Sequence, residues 1–206
     1  SEMCIRDRST KQVKIGEIYI GSEYPVLVQS MLNTDTMNTE ACVEQAIRII
    51  EAGGKLVRIT APGVKEARNL ENIHAELRRR GYTTPLSADI HFNPEAAIEA
   101  AKHVEKVRIN PGNFVDKRAT FKTLTYTDEE YAAEIEKIRE RFVPFLNICK
   151  AHGTAIRIGV NHGSLSDRIM SRYGDTPEGM VASCMEFLRI CREENFPDVV
   201  ISIKAS

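Results

Sequence analysis

Six short apolar segments, separated by segments with a helical pattern, constrain the fold more than any other feature of this sequence. The six are rich in β-branched residues and apolar almost throughout, which is typical of strands buried on both faces of a parallel sheet. They comprise residues 25–31, 55–60, 85–90, 104–110, 155–160 and 198–204. Their alternation with helical segments predicts six consecutive β/α units.

The segments between these strands carry helix-terminus signals. Polar N-caps are predicted at Thr39, Asn93, Thr127 and Thr176, each with an acidic residue in the turn that follows. Pro144 lies in the helical segment after Thr127, and it is predicted to kink or divide that helix because proline lacks the backbone N–H. These signals support helices between the predicted strands.

Two architectures consist of repeated β/α units. A doubly wound open sheet usually has a G-x-G-x-x-G turn after its first strand, whereas the first strand here ends in residues 29–33, which contain no glycine. The sequence therefore favours an α/β fold of the TIM (β/α)8 barrel type, truncated after about six β/α units. Before the first of these strands, residues 12–20 predict a short hairpin that turns at Gly16 and Glu17.

Both ends of the sequence differ from the pattern between them. Met3-Cys4-Ile5-Arg6-Asp7-Arg8 is what a transposon-end sequencing adapter would encode if translated, so we expect residues 1–8 to be non-native; an ordinary N-terminal tail is the alternative. The strand-like residues 199–204 come just before Ser206 and would leave an unfinished sheet edge, which complete proteins avoid. We therefore expect residues 9–206 to be a fragment, a partial TIM-barrel substrate-binding domain that lacks its last strands.

Composition excludes several classes of protein. With 28 basic and 29 acidic residues, the chain has no general attraction for nucleic acid or for an anionic membrane. No apolar run approaches the ~20 residues of a membrane span, and no secretory signal opens the sequence. The five cysteines form no C-x-x-C pair, which is typical of reduced thiols. We expect a cytoplasmic protein with no nucleic-acid or membrane partner.

Four cations lie within or at the ends of the apolar segments, namely Arg58, Arg108, Arg157 and Lys204. In a barrel of this class the carboxyl ends of the strands meet at one mouth, where the chemistry takes place. A single buried arginine is commonly a paired structural cation, but here only one acid, Asp89, comes from the same layer. The surplus charge predicts an anion with about two or more negative charges, such as a diphosphate, since arginine forks suit phosphate oxygens.

Other polar side chains at the strand ends complete the candidate site. Asp89 and His91 lie on the same face of a strand and could form an acid/base and hydrogen-bonding pair or begin a metal site. A metal is disfavoured because no other His, Asp or Glu joins them at a strand end, so we expect no metal site in this chain. The remaining members are Gln29, Ser30, Asn110 and Asn161. The two asparagines could donate to phosphate oxygens or close turns.

Six motifs carry a resemblance to a known family. They are Val28-Gln29-Ser30-Met31, Ala88-Asp89-Ile90-His91-Phe92, Val107-Arg108-Ile109-Asn110-Pro111-Gly112-Asn113, Ile156-Arg157-Ile158-Gly159-Val160-Asn161, Gly163-Ser164-Leu165 and Ser202-Ile203-Lys204-Ala205-Ser206. In this order they closely resemble the 4-hydroxy-3-methylbut-2-enyl diphosphate synthases, iron–sulfur enzymes of the methylerythritol phosphate route to isoprenoids. The segment after Asn113 and residues 161–168 resemble the longer-chain branch, which carries an extra domain between barrel and cluster domain.

The resemblance implies a substrate and roles for the candidate residues. The substrate would be 2-C-methyl-D-erythritol 2,4-cyclodiphosphate, whose ring is opened and one hydroxyl removed by two electrons. The implied diphosphate-binding cations are Arg58, Arg108, Arg157 and Lys204. The implied positioning residues are Asp89, His91, Asn110 and Asn161, with catalytic roles for Asp89 and His91 through substrate hydroxyls.

The resemblance also implies groups that this chain does not carry. In the family, three cysteines and a glutamate of a C-terminal domain bind a [4Fe-4S] cluster, and none of the five cysteines here matches a cluster ligand. Reduced flavodoxin or ferredoxin would be the electron donor, and the full-length protein would be a homodimer. We expect the fragment alone to be inactive. Two alternatives are a phosphate- and pterin-binding barrel transferase similar to dihydropteroate synthase, and a non-catalytic anion-binding module complete at this length.

Overall fold

The computed structural model describes residues 9–115 and 125–205. The predictions made for residues 1–8, for most of the segment after Asn113 and for Ser206 lie outside the described residues. Within them the strands are β1 (Val13–Ile15), β2 (Ile18–Ile20), β3 (Gln29–Met31), β4 (Leu56–Thr60), β5 (Leu86–Asp89), β6 (Lys106–Ile109), β7 (Ala155–Asn161) and β8 (Val199–Lys204). The α-helices are α1 (Thr39–Glu51), α2 (Val64–Arg79), α3 (Pro94–Ala100), α4 (Pro111–Phe114), α5 (Asp128–His152), α6 (Asp167–Tyr173) and α7 (Pro177–Glu193).

Strands β3 to β8 form one parallel sheet in which spatial order equals sequence order. Each strand is therefore connected to its neighbour by a crossover that contains a helix, which is the arrangement of a TIM barrel. The outward side chains Val57, Ile59, Val107 and Ile156 belong to the same buried cluster as the helices. The prediction of six β/α units of a (β/α)8 barrel is confirmed.

The other face of the sheet is the inside of the barrel, and the N-terminal hairpin closes its lower end. Val13 and Ile15 of the hairpin pack with Leu56 and Ala155, which begin strands β4 and β7. The hairpin pairs antiparallel, as predicted, and turns at Gly16, whose φ of 57° lies in the left-handed region that favours glycine. The functional groups of the interior are therefore held above an apolar base.

The helix ends follow the sequence signals with one correction. Asn93, Thr127 and Thr176 accept backbone hydrogen bonds as N-caps, and Thr127 forms a capping box with Glu130. The cap of α1 is Asn38 and not Thr39, because the Asn38 side chain accepts from the Ala41 N–H. The prediction places that helix start one residue too late.

Helix α5 continues through Pro144, so of the two predicted effects, a kink or a division, the division does not occur. Phe142, Phe145 and Leu146 flank the proline and are fully buried, and they hold both halves of the helix on the same core. Burial of each such side chain contributes roughly 1.5–3 kcal/mol, which offsets the lost backbone hydrogen bond. No helix in residues 9–115 and 125–205 combines the length and apolar character needed to cross a membrane.

Candidate functional site

Parallel register places the charged side chains of neighbouring strands side by side inside the barrel. Asp89 of β5 pairs with Arg108 of β6, and Arg108 pairs with Arg157 of β7. Arg58 of β4 is in register with Ser87 of β5, which lies two residues before Asp89 and thus closer to the amino ends of the strands. Because side chains alternate between the two faces of a strand, all of these point into the same interior.

Asp89 is the centre of an interior ion-pair network. Its carboxylate is 1% exposed and binds Arg58 through Oδ2 and Arg108 Nη1 through Oδ1, the latter at 3.1 Å. His91 lies higher, with Nε2 at 3.7 Å from Asp89 Oδ2 and its side chain 38% exposed. Both Asp89 oxygens are thus occupied by arginines, while the His91 ring is open to the mouth.

Arg157 has no carboxylate within ion-pair distance among the described residues. Its guanidinium donates to Ser202 Oγ at 2.7 Å, and its Nε is buried and forms no hydrogen bond. The Nε of Arg58 is likewise buried without an acceptor. Burial lowers the pKa of Arg157, and the neighbouring charges of Arg58 and Arg108 lower it further. The guanidinium groups of Arg58 and Arg157 therefore each have an N–H donor without an acceptor inside the barrel. A bound phosphate group would supply oxygen atoms that accept these hydrogen bonds.

Arg108 is held in place by a close approach to strand β7. Its Nη2 donates to the Gly159 carbonyl at 2.9 Å. A Cβ at Gly159 would lie 2.4 Å from Arg108 Nε, so only glycine leaves room for the guanidinium. This contact explains the glycine between Arg157 and Asn161 in the β7 motif.

Asn110 closes the turn that follows β6. Its Oδ1 accepts from Gly112 N–H at 3.2 Å as the N-cap of α4, and its Nδ2 donates to Ser164 Oγ at 2.8 Å. Both ends of the amide are thereby engaged within the protein. Gly112 packs so closely on the Ser164 carbonyl that an added Cβ would lie 1.7 Å from it. This turn therefore ties the β6 loop to the β7 loop.

Asn161 and Lys204 lie side by side at the ends of β7 and β8. Asn161 is half-buried and Lys204 is exposed. Both residues lie on the interior face, closer to the carboxyl ends of the strands than Arg157. This position suits them for the outer part of a ligand that enters through the mouth.

The two candidates on β3 lie on opposite faces of the strand. Gln29 pairs with Leu56 and is directed into the interior, whereas Ser30 pairs with Val57, which faces the helices. Side chains in register share a face, so Ser30 points away from the arginines. Of the two, the geometry brings only Gln29 to the site.

Lys106 is a site residue that the sequence analysis missed. It lies two residues before Arg108 on β6, is 2% exposed, and donates from Nζ to Gln29 Oε1 at 3.3 Å. Its signal in the sequence is the alternation of β6, which places Lys106 and Arg108 on the same face. The contact with Gln29 spans from β6 to β3 and shows that the sheet curls around the interior.

The described residues do not fit an iron–sulfur cluster. Residues 9–115 and 125–205 contain no group of three His, Cys, Asp or Glu side chains that could hold a metal ion. The four described cysteines are free and buried. Burial raises the pKa of the Cys184 thiol to about 11 and that of Cys191 to about 12, which disfavours the thiolates that ligate iron.

Comparison with known families decides the classification. Residues 10–206 match the family described as the GcpE TIM-barrel domain. The chain belongs to this family. The GcpE assignment confirms the resemblance found in the strand-end motifs, and it argues against the transferase alternative.

The chain is similar throughout to curated GcpE relatives. It is 75% identical over 199 residues to the 4-hydroxy-3-methylbut-2-en-1-yl diphosphate synthase (flavodoxin) of Parabacteroides distasonis, covering 97% of this chain and 33% of that protein. It is 69% identical over 199 residues to the synthase of the same name from Bacteroides thetaiotaomicron, covering 97% and 32%. The chain thus spans about a third of the length of the curated relatives it matches.

Solved structures support the fold of this GcpE domain. A phospho-2-dehydro-3-deoxyheptonate aldolase from Thermotoga maritima superposes with a TM-score of 0.53 at 14% identity, covering 93% of this chain and 44% of that one. At this identity the similarity concerns the fold alone.

Proposed function

We propose that this chain is the substrate-binding barrel of a 4-hydroxy-3-methylbut-2-en-1-yl diphosphate synthase. The reaction would be the reductive ring opening and dehydroxylation of 2-C-methyl-D-erythritol 2,4-cyclodiphosphate in isoprenoid biosynthesis. The observation that carries the proposal is a set of interior arginines with unused donors around a single carboxylate. High identity to relatives that bear this enzyme name supports the choice of reaction.

The charge of the interior matches a cyclic diphosphate. Arg58, Arg108, Arg157 and Lys204 supply four positive charges against one negative charge from Asp89. The cyclodiphosphate carries two negative charges, because each phosphorus has one ester oxygen and one bridging oxygen and so keeps a single ionised oxygen. Arg58 and Arg157 would bind the phosphate oxygens through their unused Nε donors, and Lys204 would bind the outer phosphate.

The remaining candidates divide into positioning and substrate-contacting residues. Each carboxylate oxygen of Asp89 forms an ion pair with an arginine. We therefore propose that Asp89 positions Arg58 and Arg108 for the ligand. His91 and Asn161 are open to the mouth and would contact the hydroxyl groups of the substrate. Asn110 would position the loop after β7 through its hydrogen bond to Ser164. Gln29 would position Lys106 by accepting a hydrogen bond from its Nζ.

The electrons and further partners would come from outside this chain. In the family a [4Fe-4S] cluster supplies two electrons, and its ligands would lie in a part of the protein that this chain does not include. The curated relatives carry flavodoxin in their names, so we propose reduced flavodoxin, or ferredoxin, as the donor. We further propose a homodimer of the full-length protein. Four free, buried thiols are compatible with the reducing cytoplasm.

A chimera tests the proposed activity. Residues 9–206 of this chain would replace the matching third of the Parabacteroides distasonis relative, to which they are 75% identical. We expect the purified, cluster-loaded chimera to convert the cyclodiphosphate at a rate within about tenfold of the unaltered relative, since the barrel supplies the substrate site. A folded, cluster-loaded chimera without turnover would contradict the proposal.

A single substitution tests the anion site in this chain. Arg157→Met removes a half-buried guanidinium that has no carboxylate partner among the described residues, so we expect a dissociation constant for the cyclodiphosphate about 10- to 100-fold higher. Isothermal titration calorimetry measures the change. Arg48→Met, on the exposed surface of α1, is the matched control and should bind as the unaltered chain does. Equal weakening by both variants would indicate a nonspecific charge effect.

A further inference from the structure

Lys106 is a buried amine with an unusual environment. Its side chain extends from β6 to Gln29 on β3, whose amide oxygen, at 3.3 Å, is the one acceptor of its Nζ in the part of the chain that the structure describes. Only 2% of the residue is exposed. A buried ammonium ion is expensive unless a carboxylate or several acceptors surround it.

The charged groups that face Lys106 from the surrounding strands do not supply such a partner. Arg58 on β4 and Arg157 on β7 repel a positive charge at its Nζ. Arg108 shares its strand and face, and the single acid of the neighbouring β5, Asp89, is occupied by Arg58 and Arg108. No ion pair of Lys106 occurs among the described residues.

We propose that, at a pH above neutrality, Lys106 carries a positive charge only when the barrel holds its anion, so that ligand binding there brings one proton onto Lys106 Nζ. This inference rests on the proposed function, because it assigns the anion to the same site. A doubly negative ligand between Arg58 and Arg157 offsets the repulsion that keeps the amine neutral. The proton comes from the solvent, and no covalent bond of the ligand changes.

The direction of the pH dependence follows from the same arrangement. Burial, with the charges of Arg157 and Arg58, lowers the pKa of Lys106 to about 7 in the ligand-free chain. A bound anion raises this pKa. Below pH 7 the amine is charged in both states and no proton is taken up. Above pH 7 a proton must be bound together with the ligand, so the affinity falls by up to tenfold for each further pH unit until the pKa of the complex is reached.

Calorimetry in two buffers measures this proton directly. The full 206-residue chain is titrated with 2-C-methyl-D-erythritol 2,4-cyclodiphosphate at pH 8, in buffers that differ in ionisation enthalpy. The ligand has no group that titrates near this pH, because each phosphorus is bonded to one ester oxygen and to the bridging oxygen of the diphosphate, and its one remaining acidic hydroxyl is fully ionised. We expect uptake of about 0.9 proton per ligand bound, and close to none at pH 6.

Variants at the same position identify the group. Lys106→Met and Lys106→Gln cannot take up a proton and should reduce the uptake at pH 8 to near zero; two variants guard against one that fails to fold. Lys106→Arg stays charged and should also bind without uptake. Lys14→Met, on the exposed face of the hairpin, is the control and should retain the uptake.

The possible results separate this inference from the proposed function. Binding with proton uptake that disappears in both neutral variants supports the inference. Binding without uptake, or with uptake that persists in the variants, overturns it and leaves the anion site intact. Absence of binding by the unaltered chain counts against the inference and the proposed anion site together.

Discussion

Replacing Asp89 with alanine should lower the free energy of unfolding of the ligand-free chain by about 3–5 kcal/mol. The substitution leaves the buried Arg108 and the half-buried Arg58 without a counter-charge, with Arg157 close by. Removing one member of a buried ion-pair network costs more than the network contributes, because the remaining charges stay desolvated. Urea denaturation at pH 7, followed by circular dichroism, measures the change.

A control variant and an added anion make this prediction specific. Glu44→Ala removes an exposed acid on α1 and should change the stability by less than about 0.5 kcal/mol. Inorganic pyrophosphate should restore more stability to the Asp89→Ala variant than to the unaltered chain, because it replaces the lost negative charge between the arginines. The prediction is contradicted if Asp89→Ala unfolds at the same urea concentration as Glu44→Ala.

Much of the fold could be predicted because its strands are buried on both faces. The six apolar segments all contain strands of the sheet, and three of the four predicted caps are N-caps. The first segment was predicted too long, as residues 25–31, whereas β3 comprises only Gln29–Met31. Val26 and Val28 lie before the strand with side chains 86% and 61% exposed, although the Val28 carbonyl accepts from the Lys55 N–H at 2.8 Å.

The site was predicted less completely, because register and side-chain direction decide it. The rule that strand ends meet at one mouth identified the interior arginines and Asp89. It could not show that Asp89 is saturated by Arg58 and Arg108, which depends on the side-chain conformations. Simple alternation along the strands would have separated Ser30 from Gln29 and added Lys106 to the site. The positions of both residues therefore follow from the sequence pattern alone.

Gly159→Ala should strongly weaken ligand binding, although it adds a single methyl group. The new Cβ would lie 2.4 Å from Nε of Arg108, which is closer than a Cβ approaches another heavy atom in real structures, and 3.2 Å from Cζ. Arg108 is buried, so its guanidinium must leave both the Gly159 carbonyl and Asp89 to make room. Loss of one charge-assisted phosphate contact and of its pre-organisation should raise the dissociation constant for the cyclodiphosphate by about 100-fold.

Gly163→Ala is the matched control for this prediction. Gly163 lies in the short 3₁₀ helix His162–Ser164 just after β7, and a Cβ there would meet no atom within 4 Å. The Gly163→Ala variant should bind the cyclodiphosphate as the unaltered chain does. Gly159→Ala, in contrast, should also lower the free energy of unfolding by about 1–3 kcal/mol through overpacking. Calorimetric titration of both variants, with denaturation curves for each, separates the two effects. Equal affinity of the two variants would mean that Arg108 does not bind the ligand, and that the β7 glycine serves packing alone.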